Sequence, residues 1–163
     1  MNNFDRQNAK GKIGETAVAA YLASRKHKVE DVSNNPCFWG KDIDFLLTST
    51  TGDKCSVEVK CDTRMSATGN LLFEIGNEKD WGYRDGWIKY CEADYICFYD
   101  AVEGNGYILD WKKTKPVVKE LSEYKYFHGT DGDYCEVYLM PIWKAKKHEL
   151  ITHQFSFKLE EVA

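Results

Sequence analysis

The sequence predicts an α/β fold: a mixed sheet with helices on both faces. Three observations carry this. An alanine-rich segment near the N-terminus has helical period, short alternating segments follow one another between turn signals, and "YICFY" at 95–99 is apolar at nearly every position, the pattern of a strand buried on both sides. At 163 residues, 43% hydrophobic and 14% aromatic, the chain suits one compact domain rather than a disordered segment.

The elements follow in order. Residues 12–26, "KIGETAVAAYLASRK", read as a helix whose basic residues gather in its last turn, where they suit the dipole. Strands are expected at 42–48, 55–61, 71–75, 95–100 and 107–111, with "TTGD" and "EGNG" as turns; the first three read as a meander. A short helix at 87–93 leads into the buried strand. A longer one runs through "KKTKPVVKELSEY" at 112–124, with Pro116 acceptable only near its first turn. "DYCEVYLMPIW" at 133–143 reads as a strand and "THQFSFKLEEV" at 152–162 as an edge strand. No repeat, linker or low-complexity tract marks a boundary, so residues 1–163 are taken as one domain with its core at about 10–110 and an elaboration at 111–163.

Composition narrows the function classes. The 22 Lys and Arg against 26 Asp and Glu give a net charge of −4, so an anionic partner has to be met by a local patch. No apolar run approaches the ~20 residues that span a bilayer, and the N-terminus lacks a signal-peptide hydrophobic region; a cytoplasmic protein without membrane contact is expected. The six cysteines contain no Cys-x-x-Cys pair and read as buried thiols rather than a zinc site. His27, His128, His148 and His153 are dispersed and are assigned no catalytic role.

The chemistry lies on the alternating strands. In "CSVEVKC" at 55–61, Val57 and Val59 share one face while Glu58 and Lys60 share the other. A half-solvated strand with a surface ion pair explains this stretch alone. With both faces of the sheet covered, that explanation weakens. In "KDIDFLL" Asp42 and Asp44 share a face with Leu46, and in "NLLFEIG" Glu74 shares one with Leu72. On the helix, Glu15 lies on the stripe of Val18, Ala19 and Leu22; a solvated or capping glutamate in a first turn is the plain alternative. Carboxylates crowded in a partly dry pocket bind protons unless a cation resolves their repulsion. Oxygen ligands alone favour a hard ion, and Mg²⁺ fits best.

Glu15 in a helix, then Asp44, then "EVK" at 58–60, resembles the PD-(D/E)xK nuclease superfamily over about residues 10–110. "EVKCDTRMSATGNLLFEI" and "GWIKYCEADYICFYD" most resemble small phage and archaeal proteins related to Holliday-junction resolvases. The resemblance implies a restriction-endonuclease-like core of helix, three-stranded meander, helix and strand. It implies metal-dependent hydrolysis of DNA phosphodiester bonds, structure-specific in recombination, repair or processing, in the host cytoplasm if the protein is phage-encoded. Asp44, Glu58 and the carbonyl of Val59 would hold Mg²⁺, with Mn²⁺ as substitute. Lys60 would assist the attacking water, and Glu15 would bind a second ion or a water of its shell. Arg64, Ser66, Thr68, Asn70, Glu74 and Lys12 would face the substrate. The family's proline is absent, which leaves Asp42 as an alternative to Asp44; Asp44 is preferred because it begins the apolar run "FLL".

Candidate DNA contacts are Arg6, Lys10 and Lys12, Arg64, the lysines at 112, 113 and 115, and "KAKKH" at 144–148, each equally readable as a solvated face. Trp81, Tyr83 and Trp87 read evenly as base-stacking rings or core fillers. Junction cleavage needs two symmetric cuts and so favours a homodimer, although no interface is legible. The rival reading is a nucleic-acid-binding or assembly protein that retains the fold without the activity.

Overall fold

A computed structural model describes residues 3–128 and 133–159, with side chains from residue 8 onward. In chain order the elements are α1 (Asn3–Ser24), β1 (Lys28–Asp31), a 3-10 turn (Trp39–Lys41), β2 (Phe45–Thr48), β3 (Lys54–Cys61), α2 (Met65–Thr68), β4 (Asn70–Lys79), β5 (Gly82–Asp85), α3 (Trp87–Tyr90), β6 (Tyr95–Tyr99) and β7 (Asn105–Asp110). There follow α4 (Trp111–Thr114), a second 3-10 turn (Lys115–Val117), α5 (Val118–Leu121), β8 (Glu123–His128), β9 (Tyr134–Pro141), α6 (Ile142–Lys147) and β10 (Ile151–Ser156).

The architecture is mixed α/β. Six strands form one sheet in the order β1-β2-β3-β6-β7-β10, and four form a second, antiparallel sheet in the order β5-β4-β9-β8. In the first sheet only β3 and β6 run parallel; Glu58 pairs with Ile96 and Lys60 with Phe98. Parallel neighbours need a long crossover. Here it carries β4 and β5 out of the first sheet to build half of the second.

That departure corrects the expected meander. Residues 71–75 do not pair with β3; the antiparallel meander is β1-β2-β3. The expected helices on both faces are also corrected. The odd-numbered side of β3 packs on α1, where Ala17, Val18, Tyr21 and Leu22 meet Phe45, Val57, Val59 and Cys97. The other side is covered by the second sheet and by short helices, through Phe73, Trp87, Phe98, Trp111 and Met140. Phe73 stands edge-on to Phe98 at 5.1 Å and Trp87 lies 5.3 Å from Trp111, an aromatic layer that fixes one sheet on the other.

Other boundaries move for local reasons. The first helix ends at Ser24, before Arg25 and Lys26, because Lys26 takes a left-handed φ of 67°. The expected strand at 42–48 begins only at Phe45, since Asp42 is also left-handed, with φ 52°. The helix at 87–93 is a single turn. The helix at 112–124 is broken: Pro116 lies in the 3-10 turn and the chain is extended again from Glu123. Residues 142–147 are helical, so the strand expected at 133–143 stops at Pro141. Residues 160–162 of the expected last strand lie outside the described residues. No helix among those described is long and apolar enough to cross a membrane.

Candidate active site

The site is assembled where β2 enters beside β3. Asp44 precedes β2, and its backbone is held on both sides: its N–H donates to Val57 O at 3.0 Å and its carbonyl accepts from Val32 N at 2.8 Å. With the backbone fixed, the Asp44 carboxylate accepts the Val59 N–H at 2.9 Å. Glu58 and Lys60 follow from the two-residue period of β3. Glu58 is 5% exposed. The Lys60 ammonium donates to Glu58 Oε1 at 2.7 Å and to Asp42 Oδ2 at 2.6 Å, and it lies 4.8 Å from the centre of the Trp87 ring.

Asp42 was expected one pleat repeat away from Asp44 on a common strand. The left-handed turn removes it from the strand and swings its carboxylate onto Lys60; aspartate is one of the few residues that tolerate this conformation. The turn is pinned by Glu92 N donating to Lys41 O at 2.8 Å. The signal for this in the sequence was slight, a lone glycine in "WGKDID".

Two carboxyl groups, Glu58 and Asp42, therefore hold one ammonium, with the Asp44 carboxyl beside Glu58. Burial raises the Asp44 carboxyl to about 6; the Val59 N–H and Lys60 oppose the rise and the Glu15 carboxylate adds to it. Burial raises Glu58 further, to about 9, against the attraction of Lys60 and with the repulsion of Asp42 and Asp44. Burial disfavours the Lys60 charge, but Glu58 and Asp42 outweigh it and hold the ammonium above the ordinary lysine range. The cluster thus has an excess of negative charge that a proton or a further cation must balance.

The donor set suits a hard divalent cation on chemical grounds: only oxygens, carried by the buried Glu58 and the half-buried Asp44, and an excess of negative charge to balance. Among the described residues no three Asp, Glu, His or Cys side chains are close enough together to hold an ion. The set named from the sequence puts Asp44, Glu58 and the Val59 carbonyl on one ion and adds Glu15 for a second ion or a water of its shell. Glu15 stands apart. Its carboxylate accepts from Lys12 at 2.8 Å, and Lys12 also reaches Asp31 at 3.5 Å; Glu15 acts on Asp44 through its charge.

From Lys60 a groove of about 330 Å³ runs between the sheets, past Asp62, Leu72, Glu74 and Phe98. Glu74 reaches it from the second sheet, where it accepts from Asn77 Nδ2 at 3.3 Å. A smaller recess of about 150 Å³ adjoins the groove through Asp62 and Leu72, and Arg64, Thr68 and Asn70 all line it. Ser66 turns elsewhere: its N–H donates to Asp100 at 2.9 Å and its hydroxyl accepts from Asn105 at 3.4 Å. Trp87 is a buried core ring beneath Lys60, while Trp81 and Tyr83 are exposed. Phe127, which the sequence reading passed over, stands in the recess with Arg64.

A larger depression, about 640 Å³, lies elsewhere, lined by Lys54, Asp94, Trp111, Lys112 and Lys115. It contains none of the clustered acids, so charge arrangement rather than volume identifies the site. Lys113 donates to Glu149 O at 3.0 Å, and the lysines of 144–147 lie on α6. The Arg6 side chain lies outside the described residues. Protein-family models, curated proteins and solved structures offer no match to this chain.

Proposed function

We propose that the protein is a metal-dependent nuclease that hydrolyses DNA phosphodiester bonds. One observation carries the reading: Glu58 and Lys60, named from the sequence, lie 2.7 Å apart, the Asp44 carboxylate accepts the N–H of Val59 between them, and Lys60 opens onto the groove. The order of helix, antiparallel meander and parallel strand around them supports it. Asp44, Glu58 and the Val59 carbonyl would hold Mg²⁺ or Mn²⁺. The ion supplies Lewis-acid polarisation of a phosphoryl oxygen and a water of lowered pKa. In hydrolysis a bond forms from water oxygen to phosphorus and the bond from phosphorus to the leaving oxygen breaks. Lys60 is placed to donate to the charge that develops on the phosphate. Asp42 keeps that ammonium aimed, and Arg64, Thr68 and Asn70 offer donors along the strand.

A structural ion cluster in a non-catalytic nucleic-acid-binding protein is the second reading, favoured by the engagement of Lys60 with two carboxylates at once. Incubation with linear, single-stranded and branched DNA in Mg²⁺ separates the two. Cleavage that chelation stops and that Asp44→Asn abolishes in folded protein is expected. Binding without cleavage on every substrate refutes the catalytic reading.

A further inference from the structure

The second sheet extends the groove along one of its faces, and the two faces of that sheet differ chemically. Cross-strand partners in an antiparallel sheet lie on the same side. The register sets Phe127 opposite Cys135, Cys135 opposite Asn77 and Asn77 opposite Arg84. These four residues form one row across all four strands, about 14 Å long at the usual strand spacing.

Each end of the row joins an arginine to an exposed aromatic ring. The Arg84 guanidinium lies 4.2 Å from the centre of the Trp81 ring, and Phe127 shares its recess with Arg64. Trp81 is 59% and Phe127 45% exposed. Among the described residues neither guanidinium is within ion-pair distance of a carboxylate, whereas Lys79 and Lys125 on this face are paired with Asp133 and Glu123. The opposite face carries Glu78, Asp85 and Glu136 in register with Tyr83, Tyr126 and Tyr134, and Tyr83 and Tyr124 both donate to Glu136. The two unpaired arginines offer local attraction to phosphate on the row's face, which also carries Glu74 and Glu123, whereas Glu78 and Glu136 on the opposite face have no cation partner among the described residues.

We infer that this row is the track of an unpaired DNA strand leading to the Lys60 groove, with Phe127 and Trp81 stacking on bases and Arg64 and Arg84 meeting phosphates. In a duplex the base faces are covered by their neighbours, so rings of this kind select unpaired nucleotides. Arginine adds both cation-π and phosphate contacts. The destination of the strand rests on the nuclease reading; its binding does not.

The test is fluorescence anisotropy in EDTA, which requires neither metal nor turnover, with a duplex bearing an oligothymidine tail and the same duplex blunt-ended. The tailed duplex is expected to bind about 10-fold tighter. Phe127→Ala and Arg84→Ala should each bring that ratio towards one, with circular dichroism and melting showing intact folding. Tyr126→Ala, on the opposite face of the same strand, should preserve the ratio. Equal affinity for the two duplexes, an unchanged ratio in both row variants, or an equal collapse in Tyr126→Ala overturns the inference. A tail of RNA that binds tighter than one of DNA overturns the assignment to DNA. Tail preference without cleavage on addition of Mg²⁺ refutes the catalytic reading alone, and cleavage without tail preference refutes the track alone.

Discussion

Glu58 and Lys60 are two residues apart and in contact, yet their removal should have opposite effects on stability. Lys60→Ala leaves buried carboxylates facing one another, a loss of about 3 kcal/mol or more. Glu58→Gln replaces a carboxyl whose charged form the fold already disfavours. Because burial raises its pKa from 4.5 to about 9, ionisation weakens the fold progressively as pH rises between those values. In EDTA at neutral pH, melting should therefore show Glu58→Gln no less stable than wild type and Lys60→Ala much less so, while both lose cleavage. A large fall in the melting temperature of Glu58→Gln would contradict the electrostatic account. Asp42→Asn removes a direct partner of Lys60, so kinetic assays should place its activity between wild type and the inactive Asp44→Asn. Asp100 gives the complementary pH prediction. Hydrogen bonds from Ser66, Val102 and Glu103 outweigh its burial and lower its pKa below the ordinary 3.8. Its stabilisation is complete above that ordinary value and is lost as pH falls through the lower, folded-state value. Urea unfolding should find Asp100→Asn less stable by about 1–3 kcal/mol at neutral pH, with the difference vanishing in strong acid. The Glu58–Lys60 pairing was legible because a period of two admits one arrangement. The Asp42 contact was not, because a single left-handed residue leaves no mark on hydrophobic period.

Between elements, α1 approaches β3 closely. A Cβ added to Gly14 would stand 2.7 Å from Cys61 Cβ, whereas one added to Gly11 would meet nothing within 4 Å. Alanine gains about 0.8–1 kcal/mol over glycine in a helix. Gly11→Ala should thus raise the melting temperature. Gly14→Ala should lower it, because the helix is pushed off the strand. Elements with a strong period were readable from sequence: the alternation of 55–61 and the apolar run of 95–99 became β3 and β6. β1 was not, since "KVED" contains one apolar residue and is a strand only by pairing with β2. β8 was hidden for a similar reason. "KELSEY" is rich in helix formers, and the chain leaves the helix because β9 supplies a partner from Glu123 onward. The third expected strand was correctly recognised as extended and wrongly assigned to its sheet, because a strand's own pattern says nothing of which neighbour it will pair with.

For the whole molecule, the net charge of −4 and the few unpaired cations of the groove limit the electrostatic contribution to binding. With two to four phosphate contacts the logarithm of affinity for single strands should fall with the logarithm of salt at a slope of about −1.4 to −2.8. Anisotropy titrations across a salt series measure this directly, and a slope twice as steep would require a basic surface not assigned above. A different consequence follows from the stacking of Tyr21 on Phe155, with ring centres 3.9 Å apart, and from the hydrogen bond between Tyr21 and His153. The partners in that bond are 132 positions apart, one on the first helix and one on the last strand. A growing chain makes α1 well before β10, and the buried side of α1 has no complete counterpart until residues 151–156 have left the ribosome. Final seating of α1 therefore comes well after its own synthesis. Nascent chains stalled short of that strand should be protease-sensitive along α1 and, on the nuclease reading, unable to cut DNA.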